Sequence, residues 1–310
     1  MSDFSHIPVL LSEVVACLAP CAGEIYVDAT FGGGGYAKAI LDGANCRLLG
    51  IDRDFAAIER AQSFQKNYAD RFFYRHGKFS DFPSFLDQHG IDKVDGIIFD
   101  LGVSSYQIDD PERGFSFRFN APLSMAMGCN DLSAYDVVNH YSENELIAIF
   151  KKGEEPFAKR IAKKIVETRV EKPIESTSEL AALIASCRPS PKDAQHPATL
   201  AFQALRIFIN EELIEIEKAL ELCKKRLKPG GRLIVVTFHS LEDRIVKDFI
   251  RKESGHTPLP SRHMPFVEAD FPKPTFSLKS KKAIIPTEDE LRKNPRARSA
   301  KLRYAIRVGD

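Results

Sequence analysis

Residues 25–40 read IYVDATFGGGGYAKAI. A short apolar run ends in an acid, four glycines follow, and the text beyond them has helical spacing. Glycines after a strand let the backbone approach a ligand closely, and the N-terminus of the following helix favours negative charge. Gly32-Gly33-Gly34-Gly35-Tyr36-Ala37 fits G-x-G-x-x-A, the dinucleotide pattern, but so loose a run of glycines fits many others. It is not a P-loop, because no Lys-Ser or Lys-Thr follows the last glycine.

Two acids narrow the ligand. Asp28 lies four residues before Gly32 at the end of the first strand candidate. A carboxylate there suits a ligand with a positive amino-acid end and repels a pyrophosphate. Asp52, in GIDRD, ends the second strand candidate about 20 residues further on, where an acid can hold two ribose hydroxyls. Asp52 serves a nicotinamide dinucleotide and S-adenosylmethionine equally; Asp28 favours the second. Phe79, in HGKFSDF, can lie against an adenine ring. Asp100, in GIIFDLGVSS, closes the fourth strand candidate at the carboxyl edge of the sheet, where open α/β sheets bind ligands.

The first hundred residues alternate strand and helix. Strands are predicted at 25–30, 46–52, 71–76 and 94–101, with helices at 37–42, 55–68 and 82–89. That rhythm predicts a parallel sheet covered by helices. It stops at Asp109. From there to about Glu212 only helical spacing is seen, at 142–151, 154–169 and 178–186, with Ser178 as a cap and Ala181 as the first buried position. Ile209, Leu213, Ile216, Leu220, Cys223 and Leu227 then form one apolar stripe of a long helix, which Pro229-Gly230-Gly231 is expected to end. RLIVVTFHS reads as the next strand. Residues 255–290 read as extended loop, and KLRYAIRV as a final strand with one basic side. The expected organisation is therefore one α/β domain, 1–108 with 213–310, interrupted by an all-helical insertion at 109–212.

The chain has 310 residues, 44% hydrophobic and 28% charged, with a formal net charge of +1. This is a globular composition, and any polyanion-binding surface must come from local clustering. The six cysteines (Cys17, Cys21, Cys46, Cys129, Cys187, Cys223) form no CxxC and no zinc pattern, so reduced, mostly buried thiols and a cytoplasmic location are expected. No signal peptide, transit peptide or membrane-spanning run is read.

HIPVLLSEVV, VDATFGGGG, GIDRD, FDLGVSSYQIDDPERGFSF, GEEPFAKRIA, HPATLAFQALRIFINEEL, GGRLIVVTFHSLEDRIVK and NPRARSAKLR together resemble the MraW/RsmH family of 16S rRNA (cytosine-N4)-methyltransferases over nearly the whole chain. The resemblance implies a class I S-adenosylmethionine-dependent methyltransferase fold: Rossmann-like, with a mostly parallel seven-stranded sheet and a helical insertion, which with the basic C-terminus is expected to grip RNA. It implies methylation of the exocyclic N4 of a decoding-centre cytosine in 16S rRNA of the small ribosomal subunit. With Asp28 and Gly32, it gives Gly34, Gly35 and Tyr36 to the methionine end, Asp52 to the ribose, Phe79 to the adenine, and Asp100 and Gln107 to closing the site. The chain departs from the family where the glycine loop ends in Tyr36 instead of histidine. It departs again where PLSMAM, with Ser124 and Ala126, replaces P-L-D-M-R-M. The second departure motivates an alternative, a catalytically weakened RNA-binding or ribosome-assembly factor on the same fold. A nicotinamide oxidoreductase is disfavoured by Asp28 and by the insertion.

Because the sulfonium already activates the methyl group, no metal is required. The site must hold the cytosine amine in line with the methyl and accept its N–H groups. Asp100 is the first candidate acceptor, assisted by the Leu101–Ser105 segment with the hydroxyls of Ser104 and Ser105. His239, in TFHSLEDR, can contact the base or relay the proton. No G-x-S-x-G elbow supports a hydrolase reading. Arg113, Arg206, Arg296, Arg298 and Lys301 are candidate phosphate contacts. The target base must be unpaired or flipped to reach the cofactor. The expected partner is 16S rRNA within the small subunit, with no membrane involved and a homodimer left open.

Overall fold

A computed structural model of the chain describes residues 8–128, 132–188, 196–256 and 273–309. Cys129 and residues 257–272 of the stretch expected to be extended lie outside the described residues. The chain divides into two compact units, Met1–Gly102 with Leu213–Asp310, and Val103–Glu212.

The first unit opens with α1 (Leu11–Leu18), β1 (Ile25–Asp28), α2 (Gly35–Gly43), β2 (Arg47–Asp52), α3 (Phe55–Tyr68), β3 (Phe72–His76), α4 (Phe82–Asp87) and β4 (Val94–Asp100). The helical unit holds α5 (Ser105–Asp109), α6 (Ala134–His140), α7 (Glu143–Lys152), α8 (Ala158–Glu171), α9 (Thr177–Ser186) and α10 (Thr199–Ile209). The chain continues through α11 (Glu212–Arg226), β5 (Leu227–Thr237), α12 (Ser240–Glu253), β6 (Phe276–Leu278), α13 (Glu288–Lys293) and β7 (Lys301–Arg307).

The seven strands form one sheet in the order β3-β2-β1-β4-β5-β7-β6. The first five run parallel, and β7 is antiparallel to both of its neighbours. Central strands of such a sheet are covered on both faces, which is why β4 and β5 read as continuous Ile-Ile-Phe and Leu-Ile-Val-Val runs. This is the Rossmann-like class I layout. Leu10, Val14 and Leu18 at one end, Ile40 and Leu41 of α2, and Ile98, Ile234 and Val236 of the central strands are buried in a common core. Full burial of each such side chain contributes about 1.5–3 kcal/mol.

The helical unit has its own core, including Leu146, Phe150, Ile161, Ile165, Leu180, Ile184, Phe202 and Leu205. Ser133, Ser142 and Ser176 cap α6, α7 and α9, each in a reciprocal capping box. The cap of α9 is thus Ser176, not Ser178. Ser178 lies inside the helix and donates to Asn120, and burial begins earlier, at Thr177, whose hydroxyl donates to Phe119 O at 2.7 Å. α8 starts at Ala158 instead of Glu154 because Glu154 takes φ +61° and the Glu155 carboxylate accepts the Phe157 N–H at 2.9 Å.

The apolar stripe from Ile209 to Leu227 is buried throughout, but it does not belong to one helix. Ile209 ends α10, Glu211 turns the chain at φ +53°, and Leu227 already starts β5. Pro229-Gly230-Gly231 lies within β5, where a register shift opposite Val94–Gly96 absorbs it. β6 falls inside the stretch expected to be loop, and α13 begins within it. Five described cysteines are unpaired; Cys46, Cys187 and Cys223 are buried, whereas Cys21 is exposed. Among the described residues no helix is long and apolar enough to cross a membrane.

Candidate functional site

Asp52, Asp28 and Asp100 are the last residues of β2, β1 and β4, three adjacent strands, and Thr237 ends β5 beside them. From β1 the chain builds outward through β2 to β3, then crosses back to place β4 on the other side of β1. The crevice between β1 and β4 is the topological switch point, where ligands of open α/β sheets bind. Asp28 and Asp100 stand on its two sides.

Asp28 is fully buried. Its Oδ1 accepts the Thr30 N–H at 3.3 Å, and its Oδ2 is buried without a partner. Burial, reinforced by the Asp52 charge and only partly offset by backbone N–H groups of Thr30 and Ala37, pushes its carboxyl up to about 7. Asp100 is raised well above the usual carboxylate range, first by removal from water, then by Asp28 and Glu242. Its Oδ1 is also buried and unpartnered, while its backbone N–H donates to Thr30 Oγ1 at 2.7 Å. Two orphaned carboxyl oxygens in one crevice are costly unless a donor or cation completes them.

Asp52 holds the glycine loop. Its Oδ2 accepts the Gly32 N–H at 2.8 Å and its Oδ1 the Asp54 N–H at 2.9 Å, while burial pushes the carboxyl up. Each carboxylate oxygen keeps a second lone pair. Asp52 can therefore anchor the loop and still accept two hydroxyls. Arg60 Nε clamps the same loop through Gly32 O at 3.1 Å.

The glycines have unequal reasons. Gly32 takes φ +53°, and a Cβ there would make only ordinary contact, 3.8 Å from Thr30 O. Gly34, at φ +77°, caps α2, and a Cβ there would stand 2.7 Å from the Phe31 ring. A Cβ on Gly35 would stand 2.1 Å from Pro8 Cγ. Gly35→Ala should therefore cost about 1–3 kcal/mol through overpacking against a rigid ring. Urea unfolding checks this; an unchanged midpoint would show that the Pro8 segment simply moves aside.

The Tyr36 side chain is packed inward, where burial and then the Asp100 and Asp28 charges raise its phenol well above the usual value. It is 4% exposed, its hydroxyl donates to the Val9 carbonyl, and its ring joins the core of the first unit. Phe79 is half-buried on a single 3-10 turn after β3, edge-on to Phe99 with centroids 5.6 Å apart. His239 caps α12: its Nδ1 accepts the Glu242 N–H at 3.4 Å. Its Nε2 lies 3.0 Å from Glu242 Oε1, though the two buried atoms do not meet in hydrogen-bond geometry. Glu242 Oε2 accepts the Phe238 N–H at 2.8 Å, so the start of α12 is tied down around a buried carboxylate.

In the helical unit, Ser104 caps α5, with its Oγ accepting the Gln107 N–H at 3.2 Å and Gln107 Oε1 accepting the Ser104 N–H at 3.0 Å. Ser105 begins that helix, and Gln107 is buried. Several cations expected to meet phosphate have protein partners instead. Arg206 forks onto Glu212 with two 2.8 Å bonds, and Arg113 Nη2 donates to Ala126 O at 3.1 Å. Lys301 Nζ lies 3.2 Å from Asp243 Oδ2. Arg296 and Arg298 are exposed. The PLSMAM segment is held by its backbone: Asn210 Oδ1 accepts the Met127 N–H at 2.9 Å and Nδ2 donates to Met125 O at 2.8 Å. Neither Ser124 nor Ala126 needs a charge for that anchoring.

A model of the MraW methylase family matches residues 3–308. The chain belongs to this family. Ribosomal RNA small subunit methyltransferase H of Paramagnetospirillum magneticum is 51% identical over 309 residues, spanning 99% of this chain and 97% of that protein. Its namesake from Hyphomonas neptunium is 51% identical over 306 residues, spanning 98% of this chain and 89% of its own. Among solved structures, an rRNA methylase from Streptococcus thermophilus aligns with 98% of this chain and 100% of its own at 12% identity and a TM-score of 0.42, too distant to carry weight. This methylase is an enzyme whose methyl donor is S-adenosylmethionine. The crevice fits that donor: Asp28 can offer an orphaned carboxyl oxygen to its cationic end, and Asp52 lone pairs to its ribose.

Proposed function

We propose that this methylase transfers a methyl group from S-adenosylmethionine to the exocyclic N4 of a decoding-centre cytosine in 16S rRNA of the small ribosomal subunit, acting in the cytoplasm. The observation that carries the chemistry is Asp100, a carboxyl at the switch point with a buried, unpartnered oxygen. The relatives' printed names support a small-subunit rRNA as substrate.

S-adenosylmethionine, when bound, supplies an electrophilic methyl group and positive charge. Positive charge in the crevice draws the raised carboxyls of Asp28 and Asp100 back to their ionised forms. Asp28 then holds the amino-acid end and Asp52 the ribose. Asp100 accepts an N–H of the cytosine amine. That hydrogen bond pulls the nitrogen lone pair out of conjugation with the ring and places it for in-line attack. As positive charge grows on nitrogen, Asp100 takes the proton that N4 loses, a role its raised proton affinity suits. His239 and Glu242 fix the start of α12 beside it.

The helical unit supports the reading with a cationic face. Lys159, Arg160 and Lys164 are exposed on one helix, α8, beside Lys163, which pairs with Glu167 at 3.8 Å. Such a face attracts the phosphate backbone without reading sequence. With Arg296 and Arg298 it replaces Arg113, Arg206 and Lys301 as the candidate set for phosphate contact. The test is tritium transfer from labelled S-adenosylmethionine to undermethylated small subunits. Counts in 16S rRNA are expected; none, with cofactor binding intact, would favour the weakened assembly-factor reading.

A further inference from the structure

Away from the crevice, the antiparallel edge of the sheet holds a cavity of about 520 Å³. β6 pairs with β7 only at Ala305–Arg307, and the chain rejoins the strand where Ile284 bridges Leu302. The loop that leaves the edge between these points, with α12, forms the cavity walls. Ile250, Leu278, Ile284 and the half-buried Tyr304 give it an apolar lining. Lys247, Lys281 and Lys282 stand exposed at it, and among the described residues no carboxylate lines it. Arg303, also in the wall, is engaged by Asp243 at 2.6 Å, whereas none of these three lysines pairs with a carboxylate among the described residues. The volume lies in the range of small-molecule sites. An apolar, aromatic-walled hollow ringed by unneutralised cations suits one kind of group, a flat ring attached to phosphates.

The cavity also lies on a path from the methyl-transfer crevice. His239 caps α12 and Lys247 is eight residues along that helix, about 12 Å at 1.5 Å per residue. Asp243 and Lys247 are one helical turn apart on one face, so the strip of surface is continuous.

We propose that this cavity is an RNA subsite that seats one unpaired nucleotide of the same rRNA strand that presents the target cytosine. The base enters against Tyr304 and Ile284, and the flanking phosphates meet Lys247, Lys281 and Lys282. Stacking on an aromatic wall with lysines along the backbone is the general mode of single-strand binding. This deepens the rRNA reading and rests on it.

The test measures binding of undermethylated small subunits to three variants of the full chain at several salt concentrations. The first combines Lys281→Ala with Lys282→Ala. The second, Ile284→Trp, fills the cavity without changing charge. The third, Lys66→Ala with Lys225→Ala, removes equal charge from exposed positions on α3 and α11. The first two should raise the Kd roughly tenfold with S-adenosylmethionine affinity unchanged. The first should also flatten the slope of log affinity against log salt by about 1.5, as two lost phosphate contacts require. The third should bind like the native protein. Native-like binding by Ile284→Trp, or equal losses in the first and third variants, would overturn the subsite. Failure of the rRNA reading is a separate signal: the native protein would transfer no methyl to 16S rRNA whatever the cavity variants bind.

Discussion

Asp100→Ala should lower methyl transfer to small subunits by about two to three orders of magnitude, the usual cost of removing a preorganised group aimed at developing charge. The substitution takes away the acceptor for the amine N–H and the base for its proton in one step. It should do so without unfolding the protein. The Asp100 backbone N–H, which donates to Thr30 Oγ1, survives, and the lost carboxyl oxygen has no partner to orphan. Single-turnover rates with saturating cofactor measure the effect, and circular dichroism checks the fold. A loss below about tenfold would move the proton to another group, with His239 next in line.

Asp28 gives the second large effect, and it is on stability. Its carboxyl rises from 3.8 to about 7 on folding, because burial disfavours the charged form. A raised folded value means the folded state holds the proton more tightly than the unfolded chain. Its contribution to stability is therefore full below about pH 4 and is lost as pH rises to about 7. At 1.36 kcal/mol per unit, the loss is on the order of 4 kcal/mol. Asp28→Asn removes this dependence. Urea unfolding of both proteins from pH 4 to pH 8 should show their stability difference moving by that order in favour of the variant. The variant should meanwhile bind S-adenosylmethionine at least tenfold more weakly at pH 8. A constant difference across this range would mean that Asp28 is not held against its charge. Instability in the empty protein that the ligand relieves is expected of a binding carboxylate and not of a structural one.

The strands were readable because each apolar run closes on a polar residue, and the same closure located Asp28, Asp52 and Asp100 at strand ends. The break at Glu211 was hidden because apolar spacing runs through it from Ile209 to Leu227; only a positive φ, invisible in the spacing, separates α10 from α11. Tyr36 follows the glycines and so reads as loop, but its position in α2 turns the ring inward. Arg206 and Lys301 look like phosphate ligands until their carboxylates, Glu212 and Asp243, are placed beside them in space. β6 and α13 are too short and polar to carry a period. The cavity at the sheet edge is assembled from α12, β7 and a loop, so nothing in the spacing of the chain announces it.

The most direct measurement is mass spectrometry of 16S rRNA cytosines after undermethylated small subunits are incubated with the purified protein and isotopically labelled S-adenosylmethionine. The labelled methyl should appear on the N4 of a single decoding-centre cytosine, and Asp100→Ala should abolish it. A labelled methyl on a ring carbon, on a ribose or at another site would contradict the proposed chemistry. So would transfer that survives the loss of Asp100.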